Sequence, residues 1–269
     1  MAQESVLDLL FNPSKRQRPR RTLIYGVEGI GKTTLGAAFP GAVFLPTEDG
    51  QRNIDCQSFP LQKTLAGVME LLRSIGKLDK IPFQNLVIDS VDGLDAMLQA
   101  HVTEQHSEKE LSFGKDSELF AAEWRKTLDA LEWFNTTRQI GIVLIGHSQI
   151  ERFNDPAGDS YDRYSPRLHK KSSALIREWV DEALFATYRT ITRTEDVGFN
   201  KTRTLAIDGG RVLKTSEKPS HMAKNRLGLP DEIEMNYAAL SAAYSAKQVD
   251  AGNVAGVVVE GSSKKKASE

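Results

Sequence analysis

A chain of 269 residues with 35 Lys+Arg against 36 Asp+Glu is near-neutral and long enough to bury one large core. Its 40% hydrophobic and 26% charged residues match globular averages, which excludes wholesale disorder, a collagen-like repeat and a coiled-coil rod. The longest apolar run, Ile140 to Gly146, falls far short of the roughly 20 residues that span a bilayer. The N-terminus places its basic cluster after its apolar stretch, the wrong order for a secretory signal. Cys56 is the sole cysteine, so neither an intrachain disulfide nor a cysteine-based metal cluster is available, and reducing cytoplasm is the expected compartment.

Taken in chain order, residues 1–20 read as a basic arm, since Lys15, Arg16, Arg18, Arg20 and Arg21 put five cations in seven residues. Thr22 to Tyr25 is a short apolar strand that turns into a glycine-rich loop and then a helix, Lys32 to Phe39, stopped by Pro40 and Gly41. Ala42 to Leu45 is a second strand. Leu65, Val68, Met69, Leu72 and Ile75 recur at helical spacing, and Asn85 to Asp89 is a buried strand. Helices follow over Val91 to Glu104 and Glu118 to Thr136, with a polar loop, Gln105 to Ser117, between them. Ile140 to Gly146 is the strongest strand. This alternation predicts an α/β fold with a mainly parallel sheet flanked by helices.

Beyond Gln149 the pattern changes to a polar loop, Glu151 to Lys171, and a short helix through Leu175, Ile176 and Trp179. Alternating runs around Ala183 to Ile191 and Arg203 to Lys214 read as a C-terminal antiparallel β addition, with Gly209-Gly210 as its hairpin turn. Asn236 to Ala246 is a last helix. The expected organisation is one domain over residues 21–247 and a disordered tail over 248–269.

Gly26-Val27-Glu28-Gly29-Ile30-Gly31-Lys32-Thr33 satisfies G-x-x-x-x-G-K-[ST], directly after a strand and before a helix. Glycines let backbone N–H groups curve around a phosphate, and the helix start adds donors. Lys32 is placed to reach the β- and γ-phosphates of ATP, Thr33 to hold Mg²⁺ through its hydroxyl, and Thr34 to approach the α-phosphate. Such a site needs a second carboxylate at the tip of a buried strand, and Asp89 fits as the metal partner. Its duller alternative is an N-cap for the following helix.

The carboxylate strand is third in sequence, so Ala42 to Leu45 intervenes between the loop and Asp89, and no N-K-x-D follows to read guanine. On these residues the chain resembles the RecA core of recombination ATPases, and more closely the compact phage nucleotide-binding proteins built on that core, over roughly Arg21 to Leu240. The loop G-x-E-x-x-G-K-T-T carries Glu28 where such loops often have Glu. By this resemblance Glu48, after the second strand, orients the attacking water as general base. Either Gln149, by alignment, or His147, by its nearness to the strand end, senses the γ-phosphate. Lys224 and Arg226, in Ala223-Lys-Asn-Arg-Leu-Gly-Leu-Pro230, serve as fingers toward a neighbouring subunit's nucleotide.

The same resemblance implies single-stranded DNA as partner, a homo-oligomer with nucleotide at the subunit interface, and hydrolysis that is weak without both. It also implies recombination, annealing or replication as the setting, with a single-strand-binding or replication protein as a further partner. DNA would run along Gln105 to Ser117 and Glu151 to Lys171. The latter mixes Arg152, Arg163, Arg167, Lys170 and Lys171 with Phe153, Tyr161 and Tyr164, although Asp155, Asp159 and Asp162 dilute the charge. Two other functions stay open: an ATP-switched interaction protein such as a helicase loader, and a small-molecule kinase, for which no Arg-rich lid is evident.

Overall fold

The computed structural model describes residues 18–50, 54–112, 114–156, 158–196 and 202–246. Most of the expected basic arm and the expected disordered tail lie outside these residues.

The strands that read as uninterrupted apolar runs form the middle of one sheet. Here β1 (Arg21–Gly26) lies between β5 (Gly141–Phe153) and β7 (Glu182–Asp196), parallel to both. Beyond β5 come β4 (Asn85–Asp89), β2 (Ala42–Pro46) and the two-residue β3 (Gln57–Ser58), all parallel. On the other side β8 (Thr202–Lys214) and β10 (Glu232–Glu234) add antiparallel strands. The expected mainly parallel α/β sheet with an antiparallel addition is thus present, in the order β10-β8-β7-β1-β5-β4-β2-β3. Strand β2 intervenes between the loop and Asp89 only in sequence; in space the strand between β1 and β4 is β5.

Strand alternation sends side chains to two helical layers. Leu23, Tyr25, Leu86, Ile88, Ile142, Leu144 and Phe185 pack under one layer. That layer comprises α2 (Leu65–Gly76), α3 (Val91–Gln105), the long α5 (Lys115–Thr137) and α6 (Lys170–Trp179). Ile24, Phe44, Val87, Val143, Ile145 and Leu184 face the short α1 (Lys32–Ala37) and the final helix, 237–246, through Leu35, Phe39, Leu240 and Tyr244. Local caps set the helix starts: Thr64 accepts from Gly67 N–H and Ser90 from Gly93 N–H. The N-cap of α3 is therefore Ser90, which leaves Asp89 at the strand tip.

Four local expectations differ. Gln105 to Ser117 is not all loop, because Ser107 forms a capping box with Glu110 and starts α4 (Glu108–Leu111). Glu151 to Lys171 is not a loop: β5 runs past the sheet to Phe153 and pairs antiparallel with β6 (Tyr161–Pro166), from Ser148↔Pro166 to Phe153↔Tyr161. Gly209-Gly210 is not a hairpin turn. The two glycines lie inside β8 opposite Arg189, where the register shifts between Tyr188 and Thr190, and Gly210 has φ +88°. A bulge needs the same left-handed freedom as a turn, so the dipeptide alone does not separate them. Finally, part of the basic cluster is structural: Arg21 holds Asp181 and Glu132 at 2.7 Å each, and the Arg20 guanidinium lies 3.6 Å from the Tyr244 ring centroid.

Candidate active site

The tips of β1, β4, β2 and β5 converge at one end of the sheet. At the tip of β1, a Cβ on Gly26 would stand 2.1 Å from the Ala186 carbonyl oxygen, so only glycine lets the loop leave β1 beside β7. The loop then turns through Gly29 (φ +72°) and Gly31 (φ +100°) into α1. Lys32 is buried and folds back, its Nζ donating to the Gly26 and Val27 carbonyls at 3.1 and 2.9 Å. Burial lowers its pKa, opposed by the nearby Asp92, Asp89, Glu28 and Glu48 carboxylates. Thr34 is exposed on the first turn of α1.

The Thr33 hydroxyl donates to Asp89 Oδ2 at 2.8 Å. Asp89 is only 4% exposed, and burial, with Glu48 adding to it against the Thr33 hydrogen bond, pushes its pKa up to about 6. A buried carboxylate beside a threonine hydroxyl at a strand tip is a hard-oxygen pair. This donor set fits Mg²⁺, and the glycine loop with Lys32 fits a nucleotide polyphosphate.

Glu48 is brought to the same spot by Thr47. Thr47 N–H donates to the Asp89 carbonyl at 2.8 Å, and its hydroxyl donates to the Ser90 carbonyl at 2.6 Å and faces the Ser90 N–H at 2.9 Å. The tips of β2 and β4 are thereby locked together, with Glu48 half-buried at the cleft. Opposite it, His147 lies where β5 leaves the sheet. Its Nδ1 is 2.5 Å from Asp92 Oδ2, its backbone N–H donates to Asp92 Oδ1 at 2.8 Å, and its Nε2 lies 3.9 Å from Glu48 Oε1. A carboxylate only accepts, so Nδ1 carries the proton and Nε2 is the atom presented toward Glu48. The hydrogen bond to Asp92 raises the His147 pKa, against partial burial. Burial pushes Asp92 up, but the bonds from His147 outweigh it and leave the carboxyl below its ordinary value.

The cleft thus assembles Lys32, Thr33, Asp89, Glu48 and His147. Gln149, two residues further along β5, lines the same cavity as Glu48, Asp92 and Arg167, and its amide donates to the Pro166 carbonyl at 3.3 Å. Of the two sensor candidates, His147 approaches Glu48 to 3.9 Å, and Gln149 borders the same cavity. Lys224 and Arg226 are at the other end of the sheet, since Lys224 pairs in β9 (Lys224–Asn225) with Ala183 at the start of β7. The Lys224 ammonium caps α6, donating to the carbonyls of Arg177, Glu178 and Val180 at 2.5, 2.9 and 2.5 Å. Arg226 is exposed beside it.

Three residues not singled out for the site also reach it. Asp92 orients His147. Arg167 Nη2 lies 3.3 Å from Asp92 Oδ2, and its Nη1 lies 3.5 Å from Glu28 Oε1. Arg211, just past the β8 bulge, donates from Nη1 to the Ile30 carbonyl at 3.1 Å and would meet a Cβ on Gly31 at 2.7 Å. For Asp92 a signal existed, an acid three residues after Asp89 in the first turn of a helix. For the two arginines only the strand pairing reveals the proximity.

The expected DNA-lining side chains of the hairpin largely engage one another. Arg163 pairs with Glu151 at 3.2 Å and Glu217 at 3.3 Å, and lies 4.2 Å from the Phe153 ring centroid. Phe153 packs on Tyr161, and Arg152 meets Asp162 at 3.5 Å. Lys170 and Lys171 are exposed at the start of α6. Among the described residues no helix is long and apolar enough to cross a membrane.

No curated protein matches the chain. Among solved structures, one described as the crystal structure of the RadB recombinase is similar, at 14% identity over 74% of this chain and 89% of that one, with a TM-score of 0.42. The profile of the AAA domain family matches residues 18–227, which take in the phosphate loop, Asp89, Glu48 and His147. By that match, with the cleft just described, the chain belongs to the AAA domain family and is a P-loop ATPase with an α/β fold.

Proposed function

We propose that the protein binds Mg-ATP in this cleft and hydrolyses it, with Glu48 as general base. The observation that carries the reading is the convergence of Lys32, the Thr33–Asp89 pair and Glu48 within one charge-coupled site. The amides of the Gly26–Thr33 loop cradle the phosphates, and Lys32 exchanges its two loop carbonyls for phosphate oxygens. Thr33 and Asp89 hold the metal side of the cleft; Mg²⁺ there supplies charge neutralisation for the β- and γ-phosphate oxygens. Glu48 orients water and takes its proton, and His147, fixed by Asp92, presents Nε2 beside it.

Single-stranded DNA as partner, a phage-type recombination, annealing or replication role, and a nucleotide-bridged oligomer are further parts of this proposal. They rest on the sequence resemblance to RecA-core phage proteins, and the exposed Lys170 and Lys171 are cations open to a phosphate backbone. A second reading, an ATP-switched interaction protein, is favoured by the mutual pairing of Arg152, Arg163 and their acids on the hairpin. ATP turnover with and without single-stranded DNA, alongside solution mass with and without nucleotide, separates the two. Stimulation that rises with DNA and is lost with Lys170→Ala/Lys171→Ala supports DNA action through this surface. Turnover indifferent to every single strand supports the switch.

A further inference from the structure

The expected polar loop after β5 carried Arg167 as one cation among several for DNA. Its observed position is different. Arg167 is the first residue after β6, and its N–H donates to the His147 carbonyl at 2.8 Å, so the far strand of the β5–β6 hairpin ends against the cleft. Next in sequence, Leu168 is buried in the core and His169 N–H donates to Asp95 Oδ2 at 3.0 Å. Asp95 in turn holds Trp124 of α5 at 2.7 Å. The backbone on both sides of Arg167 is therefore tied down, and its side chain is directed to the phosphate-loop side.

The contacts of that side chain are of the replaceable kind. Glu28 and Asp92 lie 3.5 and 3.3 Å from its guanidinium, and the Arg167 side chain is 48% exposed. The pair with Glu28, solvated on both sides, contributes little, whereas Asp92 is 9% exposed and shared with other donors. The 3.1 Å approach of Arg167 Nη2 to His147 Nδ1 is not a hydrogen bond between them: both nitrogens carry protons, and both are drawn to Asp92 Oδ2. Asp92 Oδ2 is also 3.0 Å from the Ser90 hydroxyl, so this oxygen serves more donors than it needs. Losing Arg167 leaves Asp92 still held by His147 and Ser90.

We propose that Arg167 is an intrasubunit sensor of the γ-phosphate, which leaves Glu28 and Asp92 for the terminal phosphate and thereby couples nucleotide state to the β5–β6 hairpin. The inference rests on the nucleotide reading of the cleft and assigns that site its regulation. Its geometry is specific: Glu28 lies in the phosphate loop, and Asp92 belongs with Glu48 and His147 to a group whose ligand atoms lie within 4.8 Å of one another. A guanidinium between the loop and this group stands beside the terminal phosphate, where a charge-assisted, two-pronged contact replaces two long ones. Because the Arg167 backbone is bonded to His147 and continues β6, a shift of the side chain pulls on the base of the hairpin.

The test compares Mg²⁺ complexes of a non-hydrolysable ATP analogue and of ADP on the full chain, by calorimetry, for wild type, Arg167→Ala, Arg167→Gln and Lys32→Ala. Loss of one charge-assisted contact predicts that Arg167→Ala and Arg167→Gln weaken the triphosphate about tenfold. ADP should stay within about twofold of wild type, since that contact is made only to the terminal phosphate. In parallel, amide hydrogen exchange across 148–167 should slow in wild type with the triphosphate relative to ADP, and this difference should vanish in the Arg167 variants. Equal weakening of both nucleotides, an unchanged triphosphate affinity, or a surviving exchange difference overturns the sensor. Absence of nucleotide binding in wild type overturns the cleft reading and the sensor with it, whereas binding lost only in Lys32→Ala upholds the cleft whatever Arg167 does.

Discussion

The two ends of the parallel sheet each bury an acid, and they treat it in opposite ways. At the N-terminal end, Glu182 on β7 is sealed from solvent, with Thr22 donating to it at 2.6 Å and the Tyr244 hydroxyl beside the same oxygen. Around it, Arg21 is matched by Asp181 and Glu132, and Lys224 by three carbonyls. At the C-terminal end, Asp89 opens onto a cleft where Glu28, Glu48 and Asp92 share Lys32, His147 and Arg167. Burial raises the pKa of both acids. The difference teaches where binding is built: the charged side chains around Glu182 find partners within the fold, although Glu182 Oε2 itself has none, while those around Asp89 face an open cleft.

The largest expected effect lies at the cleft. Lys32→Ala should weaken ATP at least about 100-fold, because the buried ammonium is the cation inside the loop. Equilibrium binding of a fluorescent ATP analogue reads this directly, and unchanged affinity removes the assignment of the loop. Glu48→Gln should follow, with turnover lowered about 100- to 1,000-fold and nucleotide affinity kept, as loss of a general base predicts. A variant that turns over normally shifts the base to another residue of the cleft.

How much of this contrast was legible in the sequence depends on how far each signal reaches along the chain. The loop Gly26–Thr34 is contiguous, and Asp89 and His147 each end or leave an apolar strand, so alternation and glycine placement locate them. Gln149 is a candidate by its alignment with the RecA pattern; what no local pattern shows is that the strand runs on past it into the hairpin, where its amide meets the Pro166 carbonyl. Arg167 and Arg211 depend on pairings over long separations, which no local pattern encodes. Lys224 is a finger candidate by the resemblance of its motif alone, and its contact with the C-terminus of α6 arises only through β9 pairing with β7.

Asp89 gives the next sharpening, through pH. Its folded-state pKa of about 6 lies above the ordinary 3.8. The stability linked to it is therefore full below the lower value and is lost as pH rises through about 6, a change of roughly 3 kcal/mol. Asp89→Asn keeps an acceptor for Thr33 without the charge, so the ligand-free variant should exceed wild type in stability at pH 8 and match it only near pH 3, below the ordinary value of 3.8. Denaturant unfolding at the two pH values checks this. Added Mg²⁺ and nucleotide should reverse the order at pH 8, by stabilising wild type alone.

The smallest effect tests the opposite end. Burial and the neighbouring Arg226 hold the Lys224 pKa down to about 8, so at neutral pH it remains a charged donor to the last carbonyls of α6. Lys224→Met retains the apolar stem and removes the donors, which should cost about 1–2 kcal/mol as those carbonyls lose their charged partner. ATP affinity should be unchanged. A finger reaching a neighbour's nucleotide predicts the reverse pattern: stability preserved, and turnover per subunit falling only under conditions where the protein assembles. Unfolding free energy and turnover measured on the same preparation across a concentration series distinguish a lysine that closes a helix from one that completes a neighbouring site, and the three carbonyl contacts point to the helix.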